Sequence, residues 1–180
     1  DRYAGGARLI HQWSGRPGAF VPVNCAGVSD RMVQAEVFGH VRGAFTGAVR
    51  DRPGLARSAH RGTLFLDEIA DADPTLQAGL LRLAEDGEVR PVGGDSPTRA
   101  DLRLLSATHR DLAAACRDGS FREDLYARLA RWIIEIPPLR ERREDVIALA
   151  TRAAANVAGR PVRLSAFLAE ALLLQPWPRN

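Results

Sequence analysis

Gly62-Thr63-Leu64-Phe65-Leu66-Asp67-Glu68 is an unbroken apolar run that ends in two carboxylates. Leu64, Phe65 and Leu66 show no polar alternation, which predicts a short strand covered on both faces in a parallel sheet. In open α/β sheets a ligand lies beyond the carboxyl ends of the strands, and Asp67 and Glu68 are placed there. Adjacent strand-end acids suit a nucleotide-Mg2+ site: one carboxylate holds the metal's water shell and the other polarises an attacking water. An acid after a strand also commonly caps the next helix, so these residues alone leave both readings open.

The neighbouring segments extend the α/β reading. Phe20 to Val23 predicts a second strand, closed by Asn24 at the same sheet edge, and Leu102 to Ala107 predicts a third, buried one, followed by Thr108 and His109. Ile133 to Ile136 predicts a fourth, ending at Pro137-Pro138. Ala7 to Gln12 reads as the end of a helix, and helices are expected from a Ser29 cap through Phe38 with Met32, Val33, Val37 and Phe38 inward, and in the Leu55–His60 segment. Asp73-Pro74 starts a helix that runs to Glu85 with Leu76, Leu80, Leu81 and Leu83 inward, and Gly87 ends it. Val89 to Val92 with Gly93-Gly94 reads as an exposed hairpin or loop. Asp111 to Arg117 and Arg122 to Arg131 are helical, as are Asp145 to Ala158 and Ser165 to Leu174. Strands alternating with helices imply a parallel sheet sandwiched by helices, and the late helices a smaller lid. The expected division is 1–139 for the α/β core and 140–180 for part of a helical lid.

Composition narrows the class without deciding it. The 180 residues, 46% hydrophobic, suffice for one core, or for one domain and the start of another. The 25 basic side chains, all arginine, face 22 acidic ones for a formal charge of +3, a mixed surface that does not itself argue for nucleic acid. Cys25 and Cys116 match no metal spacing, and Cys25 reads as a small buried hydrophobe. No apolar run approaches membrane length and no signal peptide opens the sequence, so a cytoplasmic location without membrane contact is expected.

Upstream of the acids, Gly43-Ala44-Phe45-Thr46-Gly47-Ala48 brackets an aromatic and a hydroxyl residue with glycines. Such a segment suits neither a core strand nor a helix interior, and it predicts a mobile loop whose tip shows Phe45 and Thr46 to a partner. Together with Phe20 to Ala26, Glu36 to His40, Gly62 to Ile69, Phe121 to Tyr126 and Pro137 to Arg142, this loop resembles, in order and spacing, the sigma-54-interacting AAA+ ATPase domain of bacterial enhancer-binding proteins. The wider AAA+ group lacks the Gly-Ala-Phe-Thr-Gly-Ala loop, so the resemblance is specific.

The resemblance implies a set of roles. Asp67 would hold Mg2+ through water and Glu68 would activate the attacking water on ATP. Asn24 would hydrogen-bond Glu68 and release it as the nucleotide changes. Thr108 and His109 fall at the first sensor, where the family usually has Thr-Asn, so His109 departs from the pattern with a side chain that titrates near neutral pH. Arg122 and Arg128, on one expected helix, would reach the γ-phosphate in a neighbouring subunit, for which a planar, permanently charged fork is suited. Gly43 to Ala48 would contact sigma-54 RNA polymerase holoenzyme, and Glu88 to Arg99 resembles the insertion that moves with that loop. The family also implies a hexameric or heptameric ring, and DNA contact only through a domain not found in these residues.

Two departures qualify the expectation. There is no Gly-x-x-x-x-Gly-Lys-Ser/Thr and no lysine at all: without a gap Tyr3 falls where the family's phosphate-binding lysine belongs, and with Gly5-Gly6 as a small insertion Asp1 comes straight after that lysine's place. The sequence stops at Trp177 to Asn180, short of the family's second sensor arginine. Truncation at both ends is the expectation; the alternative is a degenerate, non-hydrolysing AAA+ module that still contacts sigma-54. In either case the 180 residues are expected to bind ATP poorly.

Overall fold

In the computed structural model, which describes residues 3–26 and 30–177, the acid-bearing run is the middle strand of a three-stranded parallel sheet. Ten residues form α1 (Ala4–Trp13), followed by β1 (Phe20–Asn24), α2 (Asp30–Phe38), β2 (Gly39–His40), β3 (Arg52–Pro53), α3 (Leu55–Ser58) and β4 (Thr63–Asp67). A 3-10 turn at Ile69–Asp71 leads into α4 (Pro74–Asp86), then β5 (Glu88–Val89), β6 (Thr98–Arg99), β7 (Arg103–Ser106), α5 (Leu112–Arg117) and α6 (Glu123–Leu129). The sheet order is β1-β4-β7, with Asn24 opposite Asp67 and Leu66 opposite Ser106.

Alternation along β4 sorts its side chains into two layers. Thr63 and Phe65 face α1, where His11 Nδ1 lies 2.9 Å from Thr63 Oγ1 and the Phe65 ring stacks on Phe20 at 5.9 Å. Leu64 and Leu66, fully buried, enter a core with Val37, Ile69, Leu76 and Leu80 from α2, the 3-10 turn and α4. Each of these leucines contributes about 1.5–3 kcal/mol by leaving water, which makes β4 a firm anchor for the acidic turn at its end.

Helix α4 starts and stops on local chemistry. Asp73 Oδ1 accepts from Thr75 N at 2.7 Å and Leu76 N at 3.1 Å, Pro74 sits at the first helical position, and Gly87 closes the helix at φ +67°. Its buried positions are Leu76, Gln77, Leu80 and Leu83. The chain divides into two compact units, residues 1–132 and 133–180. In the second, a 3-10 turn (Leu139–Glu141) precedes α7 (Glu144–Ala158) and α8 (Ala166–Leu174), which pack on each other. Ser165 Oγ caps α8 by accepting from Leu168 N.

Several expectations need correction. Ile133 to Ile136 is not a strand, and Ile133 and Ile134 are exposed. Its β-branched composition suits a strand, but a strand needs a ladder to a neighbour, and among the described residues the parallel sheet holds β1, β4 and β7 alone. As an edge strand β7 is half-buried rather than buried, with Arg103 exposed. Met32 points outward because the phase of α2 buries Val33 and Val37 instead. Val89, expected on an exposed hairpin, is fully buried where β5 returns from α4. Arg122 is the N-cap of α6, with extended backbone, rather than a residue within that helix. The proposed cap Ser29 lies outside the described residues.

Candidate functional site

Asn24, Asp67 and the Thr108-His109 pair converge because parallel strands end on the same sheet edge. The edge is knitted by backbone bonds: Cys25 N donates to Asp67 O at 2.9 Å, Ala107 N to Leu66 O at 2.8 Å, and Ile69 N to Ala107 O at 3.0 Å. Glu68 takes a left-handed backbone, φ +52° and ψ +48°, a conformation that costs a non-glycine residue of order 1 kcal/mol and clusters at functional positions. It turns the chain so that Asp67 Oδ1 accepts from Glu68 N at 3.1 Å while the Glu68 side chain leaves the strand direction.

The Glu68 carboxylate meets His109 rather than Asn24. His109 Nδ1 lies 2.8 Å from Glu68 Oε2. An ionised carboxylate only accepts hydrogen bonds, so Nδ1 carries the proton. The Asn24 side-chain oxygen turns back to accept from Ala26 N at 2.8 Å, and no hydrogen bond joins Asn24 to Glu68 in this arrangement. Thr108 Oγ1 accepts from Arg110 N at 3.1 Å, and Arg110 pairs with Asp71 at 2.7 Å, which ties the β7 loop to the acidic turn. Burial pushes the Cys25 thiol up to about 12, helped by the charges of Asp67 and Asp71.

No group of three or more His, Cys, Asp or Glu among the described residues could hold a metal by itself. A magnesium ion does not need one: it keeps several waters and takes one or two carboxylates plus phosphate oxygens. The half-buried Asp67 at the strand end fits that role.

Both expected arginine fingers are paired within their own chain. Arg122 makes a two-pronged contact with Asp124, Nε to Oδ1 at 3.0 Å and Nη2 to Oδ2 at 2.7 Å. The guanidinium holds the Asp124 carboxyl below the usual carboxylate range and is itself raised by it. Arg128 reaches Glu85 on α4 at 2.9 Å.

The Gly43–Ala48 loop is a closed turn on the β2–β3 stem. Gly43 N donates to Ala48 O at 2.8 Å and Ala48 N to Phe45 O at 3.0 Å, with Gly43 and Gly47 at φ +80° and +102°. Thr46 is exposed. Phe45 is half-buried, its ring edge-on to His40 at 5.0 Å, so in this arrangement the tip presents Thr46 more than Phe45. The Glu88–Arg99 segment braces the stem: Val41 N donates to Val92 O at 3.1 Å and Val92 N to Gly39 O at 2.9 Å. Helix α2 leads directly into this stem, Phe38 being followed by Gly39 of β2, and Gln34 Nε2 bonds the α4 cap Asp73 at 3.2 Å.

Sequence reasoning missed Gln77, a buried polar residue on α4, although a Gln three residues before Leu80 on an apolar stripe was a signal. It also missed that His109 would take the Glu68 contact. The two sit 41 residues apart and meet through the β4–β7 pairing.

A family model, the sigma-54 interaction domain, matches residues 5–135. The chain is 47% identical over 178 residues to a Nif-specific regulatory protein of Klebsiella pneumoniae, covering 97% of this chain and 34% of that protein. It is 49% identical over 154 residues to the response regulator protein PilR of Pseudomonas aeruginosa, covering 85% of this chain and 35% of that protein. The solved structure of NtrX from Brucella abortus in complex with ATP superposes with a TM-score of 0.82 at 33% identity, over 97% of this chain and 38% of that one. The chain thus spans about a third of the length of the curated relatives it matches. The fold is the AAA+ α/β fold that the resemblance implied.

Proposed function

We propose, for a chain that belongs to the sigma-54 interaction domain family, that it is the ATP-driven part of a sigma-54-dependent transcriptional activator, with residues 1–139 as nucleotide core and 140–180 as the start of a helical lid. Within this reading Asp67 would hold Mg2+ through water, the ion would supply charge neutralisation on the phosphates, and Glu68 would accept the proton of the attacking water. His109 fixes the Glu68 carboxylate through Nδ1, and Asn24, one strand away, takes that carboxylate in another nucleotide state. Thr108 senses the γ-phosphate. Arg122 and Arg128 leave Asp124 and Glu85 to reach the site of a neighbouring subunit in a hexameric or heptameric ring, a contribution of order 10³-fold or more in rate.

The single observation behind the reading is the physical continuity from acids to loop. Glu68 sits in a strained turn after the best-buried strand, the turn leads to Asp73, Asp73 bonds α2 through Gln34, and α2 ends on the stem of the Gly43–Ala48 loop. A change at Glu68 has a short packed route to Phe45 and Thr46, which would bear on sigma-54 RNA polymerase holoenzyme at promoters in the cytoplasm. No helix among the described residues is long and apolar enough to cross a membrane. DNA is reached through another domain.

The test is Phe45→Ala in the full-length protein: ATP turnover is retained and sigma-54-dependent transcription is lost. Unchanged transcription rejects the loop assignment. These 180 residues hold no lysine to bind β- and γ-phosphates; a second reading is a non-hydrolysing module that binds sigma-54 through the same loop. The 180 residues alone are accordingly expected to show no Mg2+-dependent ATP turnover, and measurable turnover would refute that expectation. Turnover by the full-length protein would exclude the second reading.

A further inference from the structure

Gln77 is only 1% exposed, yet its amide is fully bonded. Nε2 donates to Ala72 O at 2.8 Å and to Ser120 O at 3.0 Å, and Oε1 accepts from Arg122 N at 2.9 Å. The orientation of the amide is forced, because a flipped group would set its oxygen against two carbonyls. Three segments meet on this side chain. Ala72 closes the 3-10 turn that hangs from Glu68, with Asp71 N donating to Glu68 O at 2.9 Å and Ala72 N to Ile69 O at 3.1 Å. Ser120 ends the loop after α5. Arg122 is the N-cap of α6, and its own backbone N–H, which no turn of the helix satisfies, donates to Gln77 Oε1.

A leucine or methionine would fill this place without three directional bonds, and a buried amide is tolerated only when every group is satisfied. We propose that Gln77 is a positioning residue that fixes the Arg122 backbone to the acidic turn of its own subunit, and so places the arginine that the subunit offers to its neighbour. The proposal rests on the arginine-finger reading of Arg122. Because the backbone is pinned, Arg122 reaches outward by swinging its guanidinium away from Asp124, not by moving α6.

The experiment uses the full-length protein and Gln77→Met, which keeps volume and removes all three bonds. In rings of this variant, kcat for ATP falls by roughly 10- to 100-fold, the range that a misplacement of about 1 Å produces, with KM within about twofold. The Arg122 amide exchanges with solvent roughly tenfold faster without nucleotide, as loss of one hydrogen bond of ordinary net strength predicts. Mixing then separates positioning from damage. Q77M subunits have an intact site and a misplaced finger; Glu68→Gln subunits have a dead site and a sound finger. Mixed rings regain turnover, because Q77M sites facing E68Q neighbours receive sound fingers.

The same mixture with Arg122→Ala in place of Q77M is the control. If the control fails to regain turnover, the finger reading falls and the proposal with it. If the control succeeds and Q77M does not, the reading stands and the role of Gln77 is refuted. Wild-type kcat in Q77M rings also refutes it. Gln77→Glu, which in its protonated form keeps the acceptor for Arg122 N and one donor, covers the case in which Q77M does not fold: it retains kcat within about threefold, and a loss beyond tenfold overturns the proposal.

Discussion

Gly39→Ala tests the stem of the Gly43–Ala48 loop directly. Gly39 opens β2 at φ +83°, and a Cβ built there would stand 2.5 Å from Arg52 O and 2.6 Å from Gly54 N, both backbone atoms on the facing side of the stem. Two costs add. A left-handed backbone on an L-residue costs about 1–2 kcal/mol, and forcing two backbones apart costs about 1–3 kcal/mol. The sum is about 3 kcal/mol, which for a domain of this size lowers Tm by roughly 6–12 °C. Two other glycines separate the terms. Gly47 has φ +102° but nothing within 4 Å, so Gly47→Ala carries the conformational cost alone, about 1–2 kcal/mol. Gly6 lies in α1 with ordinary φ and nothing within 4 Å, so Gly6→Ala stabilises by up to about 1 kcal/mol. Calorimetric or fluorescence melts of the three variants should rank Gly6→Ala above wild type, Gly47→Ala below it and Gly39→Ala lowest. A Gly39→Ala protein that melts no lower than Gly47→Ala would show that the strands do not approach as described.

The acidic edge supports two further expectations. Cys25 is neutral at physiological pH and buried, so a thiol reagent at pH 8 should label Cys116 first and Cys25 only as the protein unfolds, read by mass spectrometry of tryptic peptides. The folded thiol titrates near 12 against an ordinary 9.0, so the unfolded chain holds fewer protons between those values. Its stabilising contribution is therefore complete below 9.0 and is lost as the pH rises toward 12, seen as a falling urea midpoint. His109→Ala in the full-length protein removes the partner that holds Glu68 and should lower ATP turnover, whereas His109→Asn, which keeps a donor, should lower it less. Equal turnover by both variants and the unaltered protein would mean that His109 does not govern Glu68.

What the sequence made legible was local. The Leu64–Leu66 run needed no partner to announce a covered strand, Asp73-Pro74 and Gly87 mark α4 to within a residue at each end, and the strand-end acids obey the sheet rule. What was hidden depended on distant neighbours. Glu68 and His109 are 41 residues apart, and Gln77 and Arg122 are 45 apart. The outward face of Met32 turns on helix phase, and the Ile133 run on a ladder that no stretch of sequence can supply alone. Phe45 was expected at the tip because glycines flank it, but a ring beside an imidazole has somewhere to lie.

The two-way ladder between the loop stem and Val92 has a consequence for how this family member can vary. Beside the β2–β3 ladder and the end of α2, residues 39–41 of the stem are held on their other side by the Val92 rung. Lengthening or shortening the segment between Val92 and Thr98 would therefore act as a shim, raising or lowering the tip without altering one residue of the Gly43–Ala48 sequence.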